Sequence, residues 1–282
     1  MATVRKALPE DFEKIYPLLC KLNDTRLKQD DWKQLFGDHW NCQEGYHGYI
    51  LTDKTRVLGF IGLIFSKRAI DGTLQKFCNI TSGIVNKINR NESLKIFLPL
   101  LSLKDYTITD LTPSVEVSAI LKRFGFKILE DSCFIIFPNL FPIPNDCSII
   151  FDKETISRYL VQEEKRALND HIYFKCIHLL LKIRDKHCYL ILNKTFKKNI
   201  AFARINFIGN PDLFSCYIGR ACAKICFKLK VCGLLVDQRL LKGREIKKAW
   251  KKKMKKEALF KSDCLSKEAI DNLYSEFIVL NI

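Results

Sequence analysis

The sequence predicts an α/β protein built from two similar units, each a mixed central sheet flanked by helices. Three observations carry this. The chain has 282 residues, a length that favours two domains. Its apolar residues alternate between helical spacing and strand-like runs from end to end. The order helix, hairpin, strand, helix, strand, helix, strand occurs twice, on either side of residues 138–146. That segment holds three prolines and two asparagines, the composition of a seam. The expected domains are residues 1–140 and 147–282. The letters do not repeat between the halves, so the duplication is one of topology.

In the first half, residues 4–7 read as a strand. Pro9 opens a helix with Glu10 and Asp11 in its first turn, where the helix dipole favours negative charge. Phe12, Ile15, Leu19 and Leu22 form its buried face. A short helix is expected at 29–36. Strands at 46–52 and 57–65 flank the polar turn Asp53-Lys54-Thr55. A third strand covers 77–86, a helix interrupted by Pro99 covers 92–103, and a strand covers 106–111. Pro113 starts a helix through Val117, Ile120, Leu121 and Phe124; Gly125 ends it, and 126–137 is a strand.

In the second half, 156–168 reads as helix, and 172–183 and 187–192 as strands around Arg184-Asp185-Lys186. A third strand covers 200–207. Asn210 and Pro211 suit the N-cap and first turn of a long helix carrying Phe214, Ile218, Ala221, Ile225 and Leu229. Residues 231–236 read as a strand and 242–256 as a basic helix. Residues 259–265 are expected to be extended, Ser266 to cap a last helix, and 277–280 to close the chain as a strand.

Composition narrows the function classes. Hydrophobic residues make up 48% and charged residues 28%, which excludes a disordered, collagen-like or low-complexity chain. The 47 Lys+Arg against 31 Asp+Glu leave a net charge of +16, which favours an anionic partner. The most apolar run, 133–143, is too short to span a bilayer and is broken by prolines. A cytoplasmic protein with no membrane partner is expected. The 12 cysteines are scattered through apolar runs and are expected to act as small buried hydrophobes.

The segments Val4 to Asp11, Leu58 to Leu63, Asn79 to Leu94 and Ile120 to Phe126, taken in order, resemble the GNAT (Gcn5-related) N-acetyltransferase family over roughly residues 3–137. The opening Val4-Arg5-Lys6-Ala7-Leu8-Pro9-Glu10-Asp11 is similar to the family's first strand entering its first helix. Leu58-Gly59-Phe60-Ile61-Gly62-Leu63 is similar to its second hairpin strand. Asn79-Ile80-Thr81-Ser82-Gly83-Ile84-Val85 leads to Asn89-Arg90-Asn91-Glu92-Ser93-Leu94 and a helix. The run Ile120 to Phe126 ends a helix in Gly125-Phe126.

The resemblance implies an acyltransferase that moves an acetyl or other acyl group from acyl-CoA to an amine acceptor. It also implies that the second half is a degenerate copy. Acetyl-CoA is the implied co-substrate, and no metal is implied. A strand running into a helix presents unpaired N–H groups that suit phosphate. Family members carry a Gly-rich turn there. Here it reads Arg90-Asn91-Glu92-Ser93-Leu94-Lys95, with Arg90 in place and Ser93 and Lys95 where glycines are usual. A subset of the family is similar in carrying a Ser-containing turn and a segment like Thr112-Pro113-Ser114. The implied cofactor-binding set is therefore Ile84, Val85, Arg90 to Lys95, Thr112 and Ser114, with pantetheine along Ile84 and Val85.

Two departures bear on chemistry. Leu121 stands where many members carry a Tyr that protonates the departing thiolate. The usual carboxylate base is absent from residues 79–86. Asp110, at the end of the next strand, is the remaining candidate acid–base group; an ordinary solvated strand-end residue is the competing reading. The alternative to an enzyme is a non-catalytic CoA-binding or basic nucleic-acid-associated protein.

Other constellations read as packing. His171, Cys176 and His178 invite zinc but lack a fourth ligand, and Asn169-Asp170-His171 stands as a polar cluster. His39, Cys42 and His47 also lack a fourth partner, and Cys222 and Cys226 lie one helical turn apart in an apolar face. Residues 242–261 hold ten Lys/Arg and two Glu. Ile246, Trp250, Met254 and Ala258 recur at i+4, and nucleic acid contact there is expected to be non-specific.

Overall fold

The structure, a computed structural model, describes residues 2–22, 26–53, 56–70, 72–139 and 147–282. Most of the expected seam and of the turn Asp53-Lys54-Thr55 lies outside the described residues. The elements are strand β1 (Thr3–Lys6), helices α1 (Phe12–Leu19) and α2 (Gln29–Lys33), strands β2 (Gly48–Asp53), β3 (Arg56–Ile70) and β4 (Thr73–Val85), and helix α3 (Ser93–Phe97). Strand β5 (Tyr106–Asp110), helix α4 (Val115–Arg123) and strand β6 (Lys127–Ile136) follow. After the seam come β7 (Cys147–Ile150), α5 (Lys153–Ser157), α6 (Gln162–His171), β8 (Ile177–Ile183), β9 (Lys186–Lys197) and β10 (Ile200–Ile208). The chain then runs through α7 (Pro211–Leu229), β11 (Leu234–Asp237), β12 (Trp250–Lys261) and α8 (Glu276–Val279).

Two compact units emerge. One comprises Met1–Leu129, Lys256–Ser266 and Tyr274–Leu280; the other comprises Glu130–Lys255, Lys267–Leu273 and Asn281–Ile282. The first unit orders its strands β1-β2-β3-β4-β5 and then the end of β12; the second orders them β7-β8-β9-β10-β11 and then β6. Orientations agree position by position. β4 and β5 are parallel, as are β10 and β11, and the described ladders around them are antiparallel. The sixth strand is exchanged in sequence. Leu259 to Lys261 pair antiparallel with β5, and Cys133 to Ile136 pair antiparallel with β11.

Local chemistry explains the entry to the first unit. Pro9 opens a 3-10 turn into α1, which buries Phe12, Ile15, Leu18 and Leu19. Asp11 is buried and accepts two hydrogen bonds from Arg5, at 2.6 and 2.7 Å, and one from the Leu8 N–H at 3.0 Å. The Arg5 bonds outweigh burial and hold its carboxyl below the usual carboxylate range. Ser114 caps α4 by accepting from the Val117 N–H at 3.2 Å. Gly125, at φ 85°, ends that helix in the left-handed region.

Each unit has its own core. In the first, Leu51, Ile61, Leu63, Cys78, Ile80 and Ile108 of the sheet meet Ile96, Leu100 and Leu121. In the second, Phe214, Ile218, Ala221, Cys222 and Ile225 of α7 pack on Leu190, Leu192, Ala203 and Ile205. Cys222 Sγ donates to the Ile136 carbonyl at 3.4 Å, so this cysteine pair is core material.

Four expectations are corrected. The basic helix at 242–256 does not form: Lys242 and Gly243 take positive φ, and Trp250–Lys261 is a strand. The i+4 recurrence of Trp250, Met254 and Ala258 is also an even spacing, so it marks one face of a strand as well as a helix. Clustered lysines repel one another at i+3 and i+4 in a helix, and an extended backbone separates them. Residues 172–183 do not begin as a strand: α6 runs to His171 and β8 starts at Ile177. The single helix at 156–168 is two, α5 and α6. Residues 277–279 lie on α8, capped by Ser275 through the Phe277 N–H, and Leu280 follows at its C-cap.

Candidate functional site

The site grows from the way β4 and β5 part. Their parallel register runs from Lys76 opposite Tyr106 to Ile80 opposite Asp110. β5 stops there, while β4 continues to Val85. A crevice at the carboxyl ends of adjacent parallel strands is a general ligand-binding position in α/β sheets.

The free stretch of β4 is bulged. Phe60 faces Ile84 and Gly62 faces Thr81, so Ile61 alone opposes Ser82 and Gly83. Ser82 has φ 53°. A bulge leaves a backbone position out of the ladder and re-aims its groups. The two glycines of β3 allow the close approach. A Cβ on Gly62 would sit 3.0 Å from Thr81 Cγ2, and one on Gly59 would sit 2.9 Å from Val85 Cγ2. At Gly83 a Cβ would meet nothing within 4 Å, so the bulge opens onto free space.

Beside the bulge lies a polar cluster, buried at Asn79, Thr109, Asp110 and Glu276 and exposed at Thr112. Asn79 Nδ2 donates to Thr109 Oγ1 at 3.1 Å, and Asn79 Oδ1 accepts from the Glu276 N–H at 3.1 Å. Thr112 Oγ1 donates to Glu276 Oε1 at 3.2 Å, and the Thr112 N–H donates to Asp110 Oδ1 at 3.2 Å. Asp110 is 4% exposed. Burial, then the neighbouring Glu276 carboxylate, holds its carboxyl well above the usual carboxylate range. The solvated strand-end reading of Asp110 therefore does not hold.

The predicted phosphate turn is a 3-10 helix, Lys87–Glu92, running into the short α3, with Asn89 off helical geometry. Arg90, Asn91 and Leu94 are exposed, while Ile84, Val85, Glu92 and Ser93 are half-buried. Ser93 Oγ donates to the Arg90 carbonyl at 2.7 Å, and Lys95 pairs with Glu92 at 2.7 Å. Both residues that stand at glycine positions are thus engaged within the turn. Arg90 lies within electrostatic reach of Glu116 in the first turn of α4. Leu121 is fully buried and carries no polar group to the crevice.

Sequence reasoning missed Asn79, Ser82, Gly83, Thr109 and Glu276. A lone glycine inside a strand pattern is a signal for a bulge, so Gly83 had one. Glu276 had none: only folding brings it to a cluster formed by residues 79–112.

In the second unit the same positions carry different chemistry. Asn206 is the bulged residue of β10, between Ile205 opposite Leu192 and Phe207 opposite Ile191. Asp237 ends β11, and Arg239 donates to it at 2.9 Å and to Asn272 at 2.5 Å. Burial alone would raise the Asp237 carboxyl, but Arg239 and Arg204 outweigh it and hold it low. At the start of α7, Asn210 caps the Leu213 N–H, Pro211 takes the first turn, and Arg244 pairs with Asp212 at 2.7 Å.

His171 and His178 are each engaged elsewhere. His171 belongs to α6, where Nδ1 lies 2.8 Å from the Ala167 carbonyl; His178 Nδ1 lies 2.6 Å from the Tyr189 hydroxyl. Burial takes His178 down to about 4 and Cys176 up to about 12. Among the described residues no group of three or more His, Cys, Asp or Glu side chains is placed to hold a metal.

No family model and no curated protein sequence matches the chain. Solved structures do. A conserved Enterococcus faecalis V583 protein of unknown function, described as a probable N-acyltransferase, aligns over 92% of this chain and 72% of its own at TM-score 0.61 and 12% identity. A GCN5-related N-acetyltransferase from Kribbella flavida aligns over 92% and 70% at TM-score 0.59 and 10% identity. Another, from Anabaena variabilis, aligns over 92% and 72% at TM-score 0.56 and 12% identity. The strand order, the parting of β4 from β5 and these likenesses agree: the chain has the GCN5-related N-acetyltransferase fold.

Proposed function

We propose that the chain transfers an acyl group from acyl-CoA to an amine, with the first unit, formed mostly by residues 1–129 with two C-terminal segments, binding acyl-CoA and the second, formed mostly by residues 130–255, a degenerate copy. The division therefore departs from the expected 1–140 and 147–282. The observation that carries this reading is the bulge at Ser82 and Gly83, open to solvent at the point where β5 stops. Pantetheine lies along Ile84 and Val85 and adds to the free edge of β4 as a strand would. Arg90, with Asn91 and Leu94 at the exposed turn and Ser114 at the start of α4, takes the phosphates.

The reaction joins the amine nitrogen to the thioester carbonyl carbon and breaks the C–S bond. The carbonyl oxygen gains negative charge in the transition state, and a backbone N–H freed by the bulge stabilises it. The amine loses one proton and the departing thiolate gains one. Asp110 is the titratable group assigned to that exchange, because its carboxyl keeps a proton above the usual carboxylate range. The Thr112 N–H orients it, and the nearby Glu276 carboxylate pushes its carboxyl up. Proximity supplies much of the remaining acceleration.

A second reading, a CoA-binding protein without turnover, is favoured by one observation: Leu121 is buried in the core, where a general acid would otherwise reach the thiolate. Calorimetric titration with acetyl-CoA, followed by a thiol-release assay across a panel of amines, separates the two. Binding with amine-dependent thiol release supports transfer. Binding without release supports the second reading, and absence of binding overturns both.

A further inference from the structure

Glu276 is fully buried and belongs to the segment Tyr274–Leu280 of the first unit. Three hydrogen bonds fix where it stands. Its N–H donates to Asn79 Oδ1 at 3.1 Å, and Asn79 Nδ2 donates to Thr109 Oγ1 at 3.1 Å. Its Oε1 accepts from the Thr112 hydroxyl at 3.2 Å.

The register of β4 and β5 places Asn79 opposite Thr109 and, one residue on, Ile80 opposite Asp110. Side chains alternate across a strand, so Glu276 lies by the Asn79–Thr109 face and Asp110 points to the other. That other face carries Ile80 and Ile108, on which Ile96, Leu100 and Leu121 pack. It is therefore the face of α3 and α4, where the CoA phosphates are placed. The two carboxyls flank the end of β5 from opposite faces, and Thr112 joins them. Its N–H donates to Asp110 and its hydroxyl to Glu276. Thr112 is the exposed member of the set. It follows Asp110 by two residues, as Ser82 follows Ile80, so it stands level with the bulge, across the mouth left where β5 stops. A hydroxyl that can pass its proton to a carboxylate serves as a general base.

We propose that Thr112, backed by Glu276, takes the proton of the attacking amine, while Asp110 on the opposite face supplies the proton that the thiolate gains. The assignment rests on the acyl-transfer reading and divides its proton exchange between two groups. As the nitrogen bonds to the carbonyl carbon, its proton passes to Thr112 Oγ1 and the proton of that hydroxyl passes to Glu276. As the C–S bond breaks, the Asp110 proton passes to sulfur. The carboxyl pair gains one proton and loses one, so its net charge is unchanged, and return of the proton from Glu276 to Asp110 resets it. Different surroundings suit two carboxyls to opposite roles at one pH. Burial and then Glu276 keep the proton on Asp110, against the pull of Lys256 on β12. The family resemblance grouped Thr112 with the cofactor contacts; its hydroxyl turns to Glu276 instead.

The test is thiol release from acetyl-CoA across a panel of amines, beside calorimetric affinity for acetyl-CoA, in the full chain and its variants. Thr112→Val keeps the shape and removes the hydroxyl. It is expected to lower kcat about 10²- to 10⁴-fold, with acetyl-CoA affinity and melting temperature unchanged. Thr112→Ser restores the hydroxyl and is expected to recover most of kcat. Glu276→Gln leaves an oxygen to accept from Thr112 but no charge, and is expected to match Thr112→Val. The double variant should fall no further, because the two residues act as a unit. If Glu276→Gln does not fold, the two Thr112 variants decide. A full chain that releases no thiol with any amine overturns the acyl-transfer reading and this proposal with it. Thiol release that Thr112→Val leaves at full rate overturns this proposal alone. Equal losses in Thr112→Ser and Thr112→Val also overturn it, since the hydroxyl would then be irrelevant.

Discussion

Arg239 donates to Asp237 at 2.9 Å within a buried cluster, and this contact separates the chemistry of the second unit from that of the first. Asp237 and Asp110 each end the strand that runs parallel to its unit's bulged strand. Despite its burial, Asp237 is held below the usual carboxylate range by Arg239 and Arg204; burial and then Glu276 hold Asp110 well above it. Arg239 also donates through Nε to the Ile270 carbonyl at 2.9 Å. Removing one partner of such a pair strands a buried charge. Arg239→Met is expected to destabilise the chain by about 3–5 kcal/mol. Arg239→Met/Asp237→Leu should restore much of it, and urea titration of the three proteins checks both expectations.

Asp110 sets a pH dependence of opposite sign from that of an ordinary paired carboxylate. Its folded pKa lies above its unfolded value of about 3.9, so between the two the folded state binds more protons. Stability then falls as pH rises from about 4 toward the folded pKa. Asp110→Asn is expected to flatten that fall in urea midpoints measured across pH, and to raise stability at neutral pH. If the carboxyl also carries the proton in catalysis, the same variant lowers turnover about 10²- to 10⁴-fold. A steeper fall in the variant would mean that Asp110 is ionised in the folded chain.

Gly83 offers a separation of fold from function. Nothing lies within 4 Å of the Cβ it lacks, and its backbone needs no positive φ. Gly83→Leu is therefore expected to leave the melting temperature nearly unchanged while abolishing acetyl-CoA binding by filling the mouth of the bulge. Calorimetric titration beside a melting curve reads both. Unchanged affinity would move acyl-CoA away from this crevice.

One acyl-CoA per chain is expected. In the second unit the start of α7 is capped by Asn210, lacks an N–H at Pro211, and already holds the Arg244–Asp212 pair. Arg90→Glu should weaken the single site about ten- to a hundredfold. A stoichiometry near two, with half of the sites insensitive to Arg90→Glu, would show that the second unit binds as well.

Lys251, Lys252 and Lys255 lie on β12, exposed and outside the proposed acyl-CoA site. Replacing all three with Gln is expected to leave acetyl-CoA affinity unchanged. Duplex DNA should bind weakly through counterion release and lose affinity steeply with added salt, with a shallower slope in the variant. Fluorescence anisotropy across a salt series measures this, and tight, salt-resistant, sequence-selective binding would contradict it.

Much was written locally. Pro9, Gly125, Asn210 and Pro211 announce helix ends because caps and turns depend on neighbours in sequence. The runs around 58–63, 79–85 and 200–207 announce strands, and their order announces the α/β class. The basic segment misled because an i+4 recurrence satisfies both periods; the folded chain extends β12 back through Trp250 and leaves 242–249 out of regular helix. Tertiary structure alone decided the rest. The exchange of β6 and β12 between units is a long-range pairing that no local pattern encodes. The state of Asp110 depends on burial and on a carboxylate far along the chain at Glu276, and desolvation belongs to the folded environment and not to the residue. The exposure of Leu94, Leu98 and Leu101 is of the same kind: the packing of Ile96, Phe97 and Leu100 on the sheet leaves them facing water.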